Sequence, residues 1–163
     1  MYTTQNRNKK LIILLFIFSP FVALLASFKS YRSLWFKNLI WAFVIFYGLT
    51  FTIGNESENS DINRYINEVK VLHQKKDFNW EGITTYLVST GEIDFLRTVI
   101  AILVSRISDH QAVLLIVYAT IFGFFFSKNI VFILQLLNEK LNFWQKVSVL
   151  LLILVVPIWF ING

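Results

Sequence analysis

Five apolar runs recur along almost the whole of this chain, and they leave little room for a water-soluble fold. The first, residues 11–28, has no charged residue and follows Arg7, Lys9 and Lys10. The second, 39–53, begins near Leu34, has Trp35 and Trp41 close to its start and is closed by Gly54. A third, 95–107, is short and holds Arg97 and Arg106. The fourth, 111–131, carries only Lys128, close enough to its end to snorkel. The last is 147–161, and Asn162 and Gly163 follow it.

Runs near twenty residues match the hydrocarbon thickness of a bilayer when wound into a helix. The chain is 163 residues long with 56% hydrophobic residues and a mean hydropathy of +0.60. A domain this small cannot bury so much apolar surface within itself. The expectation is therefore an all-α integral membrane protein. It has about four to five apolar helices and an amphipathic surface helix within a polar segment, 55–94, and forms a single polytopic membrane domain over 1–163. A cleaved signal peptide competes for 11–28, but the run is long for one, and Phe28-Lys29 spoils a small-residue cleavage site. Pro20 is expected to kink the first span. The 95–107 run is marginal as a full span and reads as re-entrant or tilted.

Charge sets the expected orientation. The net charge is +5, with the bases gathered beside the apolar runs. That pattern suits retention on the cytoplasmic side and contact with lipid phosphate better than nucleic-acid binding. Segment 55–94 holds eight acidic and four basic residues and is placed outside. The 29–37 connector is placed in the cytoplasm. If 95–107 does not cross, Lys128, Lys140 and Lys146 also become cytoplasmic, and Asn162-Gly163 returns to the side of the acidic segment. The absence of Cys removes disulfides and thiolate metal sites. No P-loop, G-x-G-x-x-G, G-x-S-x-G or H-E-x-x-H element is present, so neither a nucleotide nor a zinc cofactor is expected. His73 has no second His at ligand spacing. Arg106, Asp109 and His110 read as interfacial.

Chemistry is best sought in 55–94. Ser60 is a plausible N-cap for a helix starting at Asp61, an acid favoured in a first turn. Ile62, Tyr65, Ile66, Val69 and Leu72 then recur at spacings of three and four, one apolar stripe of a helix. Asp61, Arg64 and Glu68 are neighbours on the opposite side. The plain reading is a solvated face with ordinary ion pairs. The functional one is a membrane-surface helix that aims a carboxylate and a guanidinium at a substrate. A planar guanidinium grips phosphate or pyrophosphate in two places, and a carboxylate can take a proton from an attacking hydroxyl. Arg97, two residues into its apolar run, either snorkels or serves a site.

The order of these features resembles the EpsG/Wzy-type membrane polysaccharide polymerases of bacterial capsule, exopolysaccharide and O-antigen systems. The residues that carry the resemblance are the D-x-x-R-Y element Asp61, Arg64 and Tyr65 after an early span, Glu92 before a half-length helix, and Asn162-Gly163 after a later one. Ile93 and Asp94 depart from the family, which has Pro and Gly there. The resemblance implies that these residues form the N-terminal portion of a longer chain. It also implies a multi-pass protein of the bacterial inner membrane that joins oligosaccharide repeat units carried on undecaprenyl pyrophosphate. In that setting Asp61, Arg64 and Glu92 are the expected catalytic residues, and Tyr65, Arg97 and Asn162 the substrate-binding ones. The expected partners are the lipid-linked glycan, membrane lipids and other polysaccharide-assembly proteins, with no nucleic acid and no metal. Two rival classes stay open. A flippase or transport component would want broken helices or polar residues inside the spans. A non-catalytic membrane partner would want small-residue seams, of which Ala23/Ser27 and Ala119/Gly123 are the only candidates.

Overall fold

The computed structural model describes residues 2–50, 61–74, 95–137 and 140–162. Among them there is no strand. Seven α-helices follow in order: α1 (Tyr2–Phe18), α2 (Pro20–Ser27), α3 (Leu34–Thr50), α4 (Asp61–Gln74), α5 (Phe95–Ile107), α6 (Gln111–Leu136) and α7 (Phe143–Asn162). A single 3-10 turn, Phe28–Ser30, follows α2. The described residues are therefore all-α, as the periodicity implies. Residues expected to act as punctuation, Gly54 and the cap Ser60, lie outside the described residues. Two compact units form: Met1–Gly48 with Ala119–Ile161, and Leu49–Tyr118 with Asn162–Gly163.

In the first unit the run 11–28 is not one kinked helix but two. Ser19 is extended, with φ −154° and ψ 95°, and Pro20 opens α2. A proline ring clashes with a helical residue before it, yet suits the first helical position, where no N–H partner is needed. The break thus follows from the one residue that the sequence marks. Ser33 caps α3, its Oγ accepting from Phe36 N at 3.1 Å. α7 starts earlier than its apolar run, at Phe143. Asn142 Oδ1 accepts from Gln145 N at 2.8 Å, while Asn142 N donates to Gln145 Oε1 at 2.9 Å. This reciprocal capping box satisfies two N–H groups that a helix start otherwise leaves without partners. α6 likewise outruns its expected end at Val131 and reaches Leu136, because 132–136 adds no charge.

Leu24, Phe36, Ile40, Val44, Ala119, Leu134 and Ile153 lie in one buried apolar cluster of this unit. Close approach of α3 and α6 depends on Gly123, where an added Cβ would meet Val44 Cβ and Cγ1 at 3.0 Å. Trp41 Nε1 donates to Thr120 O at 2.9 Å beside that contact. The small-residue positions Ala23, Ser27, Ala119 and Gly123 are all buried within this unit.

In the second unit α4 lays Ile66, Val69 and Leu72 against Ile100, Ala101, Ile102 and Val104 of α5 and Leu114 of α6. The stripe expected along α4 is therefore real, and protein covers it. α5 matches the expected 95–107 run and at 13 residues is about 20 Å long.

Much of the apolar surface finds no cover. Ile17 and Phe18 are 75% and 81% exposed, and Leu34, Phe143 and Trp144 are also open. Among the described residues 26 large hydrophobic side chains are exposed, against 22 hydrophobic residues that are buried. Among the described residues α6 alone is long and apolar enough to cross a membrane; Pro20–Ser30, Leu34–Thr50 and Phe143–Ile158 are shorter apolar helices.

Candidate functional site

The polar centre of the second unit gathers on two helices. From α4 come Arg64, Tyr65 and Glu68; from α5 comes Arg97. Arg97 Nη1 stands 3.2 Å from Glu68 Oε2, with the two side chains only 7% and 13% exposed. The Arg97 guanidinium also lies 4.5 Å from the centre of the Tyr65 ring, and that of Arg64 lies 5.5 Å from it. Both distances fall in the range where a cation is drawn to the negative face of an aromatic ring. Tyr65 is half-buried and Arg64 is exposed.

This arrangement explains how α5 tolerates a charge in an apolar run. A buried guanidinium is costly unless paired and hydrogen-bonded. Glu68 supplies the carboxylate and Tyr65 the ring. Arg97 therefore neither snorkels nor stands alone. Glu68 is the residue that sequence reasoning overlooked. Its spacing grouped it with Asp61 and Arg64 on a solvated face, whereas it sits on the flank of the stripe, three residues past Tyr65, and turns inward to α5. Only the buried partner on another helix gives it away.

The remaining expected site residues are not drawn into this cluster by any described contact. Asp61 begins α4 and Asn162 ends α7, but their side chains lie outside the described part of the structure. Glu92 lies outside the described residues altogether. His73 Nδ1 lies 2.5 Å from Ser105 O. A carbonyl can only accept, so the ring proton is on Nδ1. The imidazole is thereby committed to tying α4 to α5. Arg106, Asp109 and His110 are exposed at the end of α5. No group of three His, Cys, Asp or Glu side chains with metal-holding geometry occurs among the described residues.

A concave feature lies in the first unit. A pocket of about 610 Å³ is lined by the 28–33 connector and by Lys140, Leu141 and Lys146. Arg32 fastens its two sides together: Arg32 Nη2 donates to Leu137 O, and Gln135 Nε2 donates to Arg32 O at 3.0 Å. Tyr31 OH accepts from Leu141 N at 3.4 Å, and the Arg32 guanidinium lies 5.4 Å from the Tyr31 ring centre.

No known family profile, no curated protein and no solved structure matches this chain.

Proposed function

We propose that this chain is a multi-pass membrane protein that takes part in polymerising lipid-linked oligosaccharides, with the α4–α5 cluster at the substrate end. The membrane part of the reading is supported by the uncovered apolar surface. Burying one Leu or Phe side chain is worth about 1.5–3 kcal/mol. Leaving 26 large ones in water would forgo tens of kcal/mol, against a folded-state margin of about 5–15 kcal/mol. Lipid removes that deficit. α6 spans directly; α5 is too short for a straight crossing and fits a re-entrant or tilted element. In this reading the 55–94 segment faces outward and the 29–37 connector inward, in the inner membrane of a bacterium.

The observation that carries the catalytic part is the convergence of Arg64, Tyr65 and Arg97. The resemblance implies pyrophosphate and sugar binding for these residues, and they come from two separate helices. In the reaction, the bond from the growing glycan's anomeric carbon to the pyrophosphate breaks. A new glycosidic bond forms from a hydroxyl of the incoming unit, and its proton passes to a carboxylate, for which Asp61 and Glu92 remain the candidates. Undecaprenyl pyrophosphate leaves. Arg64, exposed and so open to a ligand, is assigned to the leaving pyrophosphate, which its planar guanidinium can grip in two places. Tyr65 offers a ring to a sugar face. Arg97 and Glu68, inside, act as positioning residues that hold Tyr65.

The test is made in the producing cells. Arg64→Ala is expected to collapse long glycan to single repeat units on the lipid carrier, at unchanged protein level. Arg97→Lys, which keeps the charge but loses the planar fork, is expected to shorten the chains less. Unchanged glycan length after deletion of the whole gene would overturn the assignment.

A further inference from the structure

We infer that the pocket between the 28–33 connector and the start of α7 is a binding site for a phosphate group, separate from the α4–α5 cluster. Three observations carry it. Lys29, Lys140 and Lys146 converge on one pocket of about 610 Å³, with Arg32 in its wall. None of the three ammonium groups has an ion-pair partner among the described residues, whereas Arg32 is engaged in holding the walls together. The first unit has nine basic residues and one acidic residue, Glu139, so its sequence holds almost no carboxylate to neutralise them. Like charges that a fold gathers without a counter-ion repel, and an anion placed among them removes the repulsion.

The chemistry of the lining selects the anion. Lys ammonium groups are point charges with three donors each, suited to a tetrahedral oxyanion approached from several sides. Ser33, which also lines the pocket, uses its Oγ to accept from Phe36 N and keeps an O–H that can donate. The volume falls in the ordinary range for small-ligand sites, large enough for a phosphate with a glycerol or second phosphate attached. Phe143 and Trp144 stand exposed in the first turn of α7, 5.5 Å apart between ring centres, just before Lys146. Exposed aromatics beside lysines are what a bilayer headgroup region attracts. The phosphate is therefore one carried on an anionic lipid headgroup. That source, but not the anion site itself, rests on the membrane reading. Neither depends on the polymerase assignment.

The experiment uses the full chain purified in mild detergent and in nanodiscs. In one arm, native mass spectrometry counts retained phosphatidylglycerol against phosphatidylcholine. In the other, glycerol phosphate is titrated calorimetrically into protein held in phosphatidylcholine nanodiscs. Wild type is expected to prefer phosphatidylglycerol about tenfold. The triple substitution Lys29→Gln, Lys140→Gln and Lys146→Gln is expected to abolish the preference, and the Lys→Arg triple to keep it. Lys9→Gln, Lys10→Gln and Lys128→Gln together are expected to leave it unchanged. Binding of glycerol phosphate without a lipid preference, lost in the Gln triple and kept in the Arg triple, would uphold the anion site and assign it to a soluble phosphate. Equal losses in both Gln triples, or no binding in either arm, would overturn the proposal. Loss of long glycan in cells leaves this result untouched, so the two proposals fail separately.

Discussion

The two units handle charge in opposite ways. The first carries nine basic residues and one acidic, a net of +8; the second carries six basic and nine acidic, a net of −3. In the first unit the buried cluster is entirely apolar, and its helices approach closely enough that Gly123 and Val44 touch. None of its charged side chains that the structure describes is buried. The second unit takes a charge inside, as the Arg97–Glu68 pair with Tyr65 beside it. The first is thus held by shape, and the second partly by complementary charge. Shape tolerates surface-charge changes and punishes added volume; a buried pair does the reverse.

The comparison can be broken at three places. The largest effect is expected in the second unit. Glu68→Ala leaves a buried guanidinium without its carboxylate and should cost about 4 kcal/mol, read from thermal unfolding in detergent. The double variant Glu68→Ala with Arg97→Met should regain most of that loss, because an apolar replacement of a buried pair is often near neutral. A loss from Glu68→Ala below about 1 kcal/mol, the range of exposed pairs, would remove the claim that charge holds this unit. Next comes Gly123→Leu in the first unit, where overpacking against Val44 is expected to cost about 2 kcal/mol. Gly123→Ala should cost less, since the gain in helix propensity of about 1 kcal/mol opposes the clash. No loss from either would mean that α3 and α6 are not closely fitted. The smallest effect is Asn142→Ala, which removes half of the capping box. It should cost about 1 kcal/mol, and amide exchange should rise at the first turn of α7 alone.

Some of this was readable in the residues and some was not, for physical reasons. The α4 stripe and the limits of α5 followed from local periodicity, since each is a property of a few consecutive residues. Pro20 marked the right place but was read as a kink, and the extended Ser19 made it a break. The start of α7 was written in Asn142 and Gln145, yet these were hidden in a polar stretch that hydropathy discounts. Arg64, Tyr65 and Arg97 were singled out and do come together. Glu68 escaped because its partner lies 29 positions further on, on another helix. The pocket escaped for the same reason: Lys29 and Lys140 belong to connectors more than a hundred residues apart, and each alone looks like an ordinary membrane flank.

The capping box also bears on the order in which the molecule assembles. A helix that closes its first turn with its own side chains has met part of the cost of nucleation before any neighbour arrives. α7 is equipped in this way, with both halves of the box inside four residues. α5 draws on another helix as well, for Arg97 is buried against Glu68 and Tyr65 of α4. During synthesis α7 therefore has local support for its first turn as soon as that turn is made, while the burial of Arg97 in α5 comes only when α4 and α5 dock. A pulse-labelling experiment on the nascent chain would find the last helix protected within seconds of its synthesis. The middle one, made first, would be protected late.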